Sequence, residues 1–408
     1  MLTRNQVQDA IDAGNGILRL EPCWVPRTFM QPGRRLRLHP DDLYALGAHR
    51  GGINERWFAS TTNADNGPGT PADEGLSYVR LDSAQRFQLK QAIDVAGDAL
   101  VGAEVMSRES GWNVLCKFFD NMGPIPHHMH QDDAHARLVG RKGKPEAYYF
   151  PPQYNQIDNA FPYTFMGLEP GTTKNDVRRC LENWSRGDNG ILNLSKAYRL
   201  QVGTGWQIDP GILHAPGSLV TYEPQVNSDV FGMFQSLVEG RVVPRDLLVK
   251  DVPKDKHNDL DFIVGMLDWD ANVNPTFARD NRVCPHPVRP LAETESEGYR
   301  EQWVCYGTGW YSAKELTVLP KRTVRIKDSA AYGLIVVQGE GTFGGHRVAA
   351  PAMIRFGDMT NDELFVIADA AKAGVRIENP SASDPLVILK HFGPGNPDNE
   401  PLRALRAH

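Results

Sequence analysis

From Trp112 onward the chain is written in short apolar runs, each closed by Gly, Pro, Asn or Asp: "WNVLCKFFD", "YRLQVGTGWQIDPG", "SLVTYEPQVNS" and "VFGMFQSLV". Runs this short, bounded by turn formers, read as antiparallel strands, not long helices. The same texture returns after about Pro290 in "ELTVLPKRTVRIKDSAAYGLIVVQGEGTFGGHRVAAPAMIRFGD", and "DPLVILKHFG" closes the chain as a strand. Many short strands at this spacing predict sandwiches or jelly rolls, and 408 residues leave room for two. The 38 glycines and 29 prolines supply the turns that such a mainly β chain needs.

Helices interrupt this pattern. "MLTRNQVQDAIDAGNG" predicts a short helix, with Thr3 and Gln6 placed as a capping box. "DSAQRFQLKQAIDVAGDALVG" predicts a second, capped by Ser83, with Phe87, Ile93 and Leu100 near one face. In "TTKNDVRRCLENWSRG", Val177, Cys180, Leu181 and Trp184 recur at helical spacing. "DLLVKDVPKDKHNDLDFIVGMLDWDANVNP" reads as a connector with at most one helix.

Charge and cysteine usage exclude several partners. A net charge of -6 without a basic block argues against nucleic acid. No apolar run approaches the roughly 18 residues of a membrane helix, and the N-terminus lacks the apolar stretch of a secretory signal. The five cysteines are scattered, odd in number and never in a CxxC pair. That usage predicts a reduced, cytoplasmic setting with the thiols as small core residues. The oligomeric state is not legible.

The stretch "PIPHHMHQDDAHARLVGRKGKPEAYY" carries the chemistry. His128 and His130 stand at i and i+2, so on a strand both imidazoles face one way. Glu146 follows a Gly-Lys-Pro turn that lets the chain return on the next strand. His214 ends the tight turn of "DPGILHAPGS". Three imidazoles and one carboxylate can hold Zn, Mn, Fe, Co or Ni, and ligand type alone does not choose among them. His127 and His135 read as solvated surface.

Seven segments then occur in order: "NERWFAS" (54–60), "LCKFFD" (115–120), "HMHQDDAHA" (128–136), "GKPEAYY" (143–149), "DPGILHAPG" (209–217), "YEPQVNSDV" (222–230) and "RDLLV" (245–249). Together they resemble the phosphomannose isomerases within the cupin superfamily, over most of the first 270 residues. The resemblance implies a mainly β fold of two cupin (jelly-roll) barrels. An N-terminal segment and a metal-binding cupin would occupy 1–270, with a helical insertion at about 171–188. A degenerate, metal-free cupin would occupy 285–408, where Glu363 stands roughly at the place of a cupin ligand histidine. The resemblance makes His128, His130, Glu146 and His214 the ligands of one divalent ion, usually zinc. Two positions depart from the family pattern. His128 replaces a ligand glutamine, and Gly232 and Met233 stand near the place of an arginine tied to catalysis, which leaves open whether the sugar is phosphorylated.

The implied reaction is aldose–ketose isomerisation of a small-molecule sugar or sugar phosphate through a cis-enediolate. A divalent ion would stabilise the enediolate charge as a Lewis acid, and a base would carry the proton between carbons. Lys144 and Lys117 are candidates to steady the oxyanion or a phosphate. Glu223 and Asp229 are the acid–base candidates, and Arg137 and His127 first-guess substrate contacts. The same ligands on Fe(II) would suit a dioxygenase, and a non-catalytic sugar-binding protein is the third reading.

Overall fold

The computed structural model describes residues 1–82, 85–156 and 162–405. Among the described residues there are six sheets, none closed on itself; the four larger ones form two facing pairs, beside two two-stranded hairpins. In the first pair, a seven-stranded antiparallel sheet runs in the order Arg282–Val283, Gly205–Ile208, Glu146–Tyr149, Thr221–Val226, Val114–Phe119, Gly52–Phe58, Cys23–Arg27. A five-stranded sheet lies against it, in the order Ser195–Arg199, Tyr163–Leu168, His214–Ala215, His128–Met129, Gly232–Met233. The second pair joins a seven-stranded sheet centred on Tyr332–Gln338 and Leu386–Phe392 to the four strands Arg322–Ile326, Val375–Asn379, Glu340–Phe343 and His346–Ala349. Two short strands are added at the edges of the seven-stranded sheets. Ile17–Arg19 adds to the second seven-stranded sheet beside Glu363–Val366, and Arg282–Val283 adds to the first beside Gly205–Ile208.

The two seven-stranded sheets share one core. Phe58, Cys116, Phe118 and Tyr222 of the first cluster with Val304, Ala313, Ile335, Phe365 and Leu389 of the second unit. Successive side chains on a strand face opposite ways, so the alternate residues Glu55, Trp57, Lys117, Phe119 and Glu223 face the interior of the first pair. Every residue of Gly52–Phe58 and Val114–Phe119 is buried for this reason. Polar bonds cross the shared core. Arg56 donates to both Asp362 oxygens at 2.8 Å and to Glu363 at 3.2 Å. Tyr149 donates to Glu315 at 2.8 Å. Glu363, aligned by sequence with a ligand position, thus accepts from Arg56 of the other unit.

Helices cover the outer face of the five-stranded sheet. Lys174–Glu182 carries a Thr173 capping box, and its buried Val177, Cys180 and Leu181 pack with Met129, Leu213, Phe234 and Ile263. The capping box at Thr3 and Gln6 forms as expected. Three expectations need correction. The second helix starts at Leu89, because Arg86–Gln88 is drawn into a hairpin with Tyr78–Arg80; Ser83 lies outside the described residues. The connector holds two α-helices, Leu260–Gly265 and Trp269–Asn272, where at most one was expected. Each is capped by an aspartate, Asp259 or Asp268, and is too short to display a 3.6-residue period. Among the described residues no helix is long and apolar enough to cross a membrane. Four cysteines are buried and Cys284 is exposed, so that thiol is a correction to the core assignment.

The Arg56 pairing predicts how strongly the units depend on each other. Arg56→Met leaves Asp362 as a buried unpaired charge, which costs about 3–5 kcal/mol. The shift of the urea midpoint measures it, and a loss below about 1 kcal/mol would contradict the ion pair's role.

Candidate metal centre

The site lies between the two sheets of the first pair. Register brings its ligands together: His214 is the direct cross-strand partner of His128. His128 and His130 project inward, while Met129 between them packs on the helices. The turn that delivers His214 depends on Gly211, at φ +81°, where an added Cβ would lie 2.7 Å from the Asp268 nitrogen. The Gly211 N–H donates to the His130 carbonyl at 2.8 Å, which ties this turn to the other histidine segment. Glu146 enters from the facing sheet, 3.0 Å from His130 Nε2 and 3.2 Å from His214 Nε2. The candidate ligand nitrogens of His128, His130 and His214 lie within 4.8 Å of one another, and all four side chains are buried.

The hydrogen bonds around the imidazoles determine what the cluster can hold. Nδ1 of His128 lies 2.7 Å from the Pro126 carbonyl, Nδ1 of His130 2.8 Å from that of Val230, and Nδ1 of His214 2.9 Å from that of Ile212. A carbonyl only accepts, so each Nδ1 carries the proton and each Nε2 presents a lone pair. His214 Nε2 and Glu146 Oε2 are buried without an aligned hydrogen bond, despite the short approaches. Burial, then His214 and His130, holds His128 well below the usual imidazole range, and burial takes His130 down to about 4. Burial alone would raise the Glu146 carboxyl, but His130 and Lys144 outweigh it and hold it well below its usual range. Three imidazoles whose Nδ1 atoms are engaged by carbonyls, which leaves Nε2 for a ligand, and an ionised carboxylate are the donor set a divalent transition metal takes. Tyr148, two residues along the same strand, donates to Glu146 Oε1 and orients it.

The remaining candidate residues share this interior. Lys144 Nζ lies 2.9 Å from Glu146, 3.1 Å from His130 Nε2 and 3.7 Å from Glu223. Lys117 and Glu223 are direct cross-strand partners, with Nζ and Oε1 3.3 Å apart. Burial and the charge of Glu146 push the Glu223 carboxyl up to about 8. Asp229 is clamped at 3.1 and 3.2 Å by Arg27, which also donates to Glu55 at 3.0 Å. These groups surround a cavity of about 40 Å³, closed off by Phe29, Met30, Ile125, Phe231 and Met233. A roomier cavity of about 780 Å³, lined by Asp132, His135, Asp209 and Trp310 among others, holds none of the four ligand candidates.

Two first-guess contacts fall elsewhere. Arg137 is exposed on the short helix Asp133–Arg137. His127 is fully buried just before the strand His128–Met129, 3.3 Å from Ser195 Oγ, which also corrects its reading as solvated surface. Period-two alternation places it opposite His128. Arg27 and Glu55 were missed by sequence reasoning. Arg27 sits in the aperiodic "EPCWVPRTFM"; Glu55 shares a strand face with Trp57 in "NERWFAS", and that alternation was the available signal. An arginine therefore does enter the interior, from the facing sheet and not from the strand Gly232–Met233.

Solved structures share this fold. A protein assigned as a mannosephosphate isomerase from Archaeoglobus fulgidus matches with a TM-score of 0.61 at 16% identity, over 93% of this chain and 97% of that one. The mannose 6-phosphate isomerase of Bacillus subtilis matches at 0.59 and 15% identity, over 92% and 99%. A zinc-bound mannose 6-phosphate isomerase matches at 0.58 and 13% identity, over 93% and 100%. At these identities the shared property is the fold. No family profile and no curated protein matches the sequence.

The Arg27 clamp predicts a reversal of pH dependence. Burial would raise the Asp229 carboxyl, but Arg27, then Lys250, outweigh it and hold it below the usual range. A depressed carboxyl adds stability that is present above its unfolded value and lost as pH falls. Arg27→Met leaves Asp229 and Glu55 buried without that cation, so both rise and stability drops as pH increases. The urea midpoint of the variant, relative to the parent, is expected to fall between pH 5 and pH 8; parallel profiles would contradict the clamp.

Proposed function

We propose that the chain is a divalent-metal-dependent aldose–ketose isomerase of the phosphomannose isomerase type. In this reading it is a cytoplasmic enzyme folded as two cupin jelly rolls, over 1–270 and 285–408, with the helical insertion near 171–188. The observation that carries it is the convergence of three Nε2 lone pairs and the Glu146 carboxylate beside Lys144, Lys117 and Glu223 in one enclosed space. His128, His130, Glu146 and His214 would hold the ion. Zinc is the proposed metal, supported by the nitrogen-rich donor set and by the zinc-bound structure of the same fold.

The bound ion would supply Lewis-acid stabilisation of the charge that develops on the sugar oxygens. The protein's own groups do the rest. Lys144, held between Glu146 and Glu223, places an ammonium beside that charge. Lys117 adds a second, and its pairing with Glu223 and Glu55 keeps it protonated although burial opposes this. Glu223 is assigned the proton transfer between C1 and C2. Asp229, with both oxygens taken by Arg27, is assigned a holding role, positioning the guanidinium against Glu55. Phe29 and Phe231, 5.9 Å apart between ring centroids, would move aside to admit a sugar and then exclude water.

Purified protein is expected to carry about one divalent ion per chain, and Glu146→Ala to bind it on the order of 10-fold or more weakly with its circular dichroism unchanged. Unaltered metal affinity in the variant would overturn the ligand assignment. In heavy water the parent is expected to exchange deuterium into an aldose at C2, seen by NMR, and Glu223→Gln to slow this by roughly 10²–10⁴. Oxygen consumption by the iron-loaded protein, without such exchange, would favour the dioxygenase reading instead.

A further inference from the structure

We infer that this interior receives an uncharged open-chain sugar and not its phosphate ester. The inference relies on the isomerase reading for the reaction, but on the charge and lining of the cavity for the ligand class. Among the described residues, three cations line the cavity: Arg27, Lys117 and Lys144. Each is committed to a carboxylate. Arg27 lies 3.0 Å from Glu55 and 3.1 Å from Asp229, Lys117 lies 3.3 Å from Glu223, and Lys144 lies 2.9 Å from Glu146. Four carboxyl groups therefore face three cations, and no cation of the lining is left unpaired to meet a further anion.

A phosphate on the far carbon of a hexose whose C1 and C2 sit at the metal ligands would lie away from them, toward the mouth. Phe29 is partly exposed and marks the mouth, where it meets Phe231. Met30, Ile125 and Met233 complete an apolar lining there. A phosphate ester brings close to two negative charges at neutral pH; Arg27, 5.9 Å from the Phe29 ring centroid, is already paired with Glu55 and Asp229, and an anion enclosed by apolar walls without a free cation is strongly disfavoured. Two cations that flank these rings from outside the cavity are also engaged. Lys250 stacks 4.4 Å from the Phe231 ring and pairs with Asp65 at 3.2 Å and Asp251 at 3.4 Å. Arg241 donates to the Phe29 carbonyl at 3.1 Å and lies 4.0 Å from Glu239.

A neutral sugar matches both regions. Its hydroxyls donate to carboxylates and accept from Lys and Arg without disturbing the charge balance. Its C–H face packs on the two phenylalanine rings, as apolar pocket walls require. The same rings that reject a phosphate dianion therefore contribute to binding the neutral ligand.

The test uses two acyclic probes that cannot isomerise and differ only in the phosphate: D-mannitol and D-mannitol 1-phosphate. Calorimetric titration of the full-length, metal-loaded protein at constant ionic strength is expected to show mannitol binding on the order of tenfold or more tightly than its phosphate. Equal or tighter binding of the phosphate, or no binding of either probe, would overturn the inference. Phe231→Arg places an uncommitted cation at the mouth and is expected to shift the preference toward the phosphate by about tenfold; an unchanged preference would also overturn it. Mannitol binding as expected, with no ketose formed from any aldose, supports the ligand class and makes the isomerase reading fail separately.

Discussion

Three imidazole lone pairs and a carboxylate meet in one buried space, and a low-dielectric interior accommodates such a cluster of acceptors only when a cation joins it. The rest of the first unit is arranged to hold that cluster. Three backbone carbonyls fix the imidazole tautomers. Tyr148 and Lys144 fix the carboxylate from either side. Around it, Lys117 with Glu223, and Arg27 with Glu55 and Asp229, neutralise further buried charges in pairs.

Period-two alternation explains how one sheet serves two purposes. Along Gly52–Phe58, Val114–Phe119, Glu146–Tyr149 and Thr221–Val226, Glu55, Lys117 and Phe119, Glu146 and Tyr148, and Glu223 face the site. Their neighbours pack against the second unit. Glu55 and Arg56 are adjacent in sequence but belong to different networks, one inside the site and one between units. The second unit thereby stiffens the wall on which Lys117, Glu146 and Glu223 are mounted.

Much of this was legible before any coordinates. The i, i+2 spacing of His128 and His130 identified their shared face, and the tight turns before Glu146 and His214 marked where strands return. The mainly β texture followed from short apolar runs closed by turn residues. What escaped was non-local. Arg27 lies in a segment without periodicity, and only sheet pairing with Gly52–Phe58 brings it to Asp229, 202 positions away. The crossing of Ile17–Arg19 into the second unit likewise depends on partners near the C-terminus. The short helices of the connector rest on single aspartate caps, a signal too weak to stand out beside a long period.

The central claim is that His128, His130, His214 and Glu146 bind one metal through three Nε2 atoms and a carboxylate. X-ray absorption spectroscopy of the zinc-loaded protein tests it most directly. The account predicts a first shell of nitrogen and oxygen near 2.0–2.1 Å with the outer-shell scattering of about three imidazoles and no sulfur. A shell containing sulfur, or one with a single imidazole or none, would contradict it.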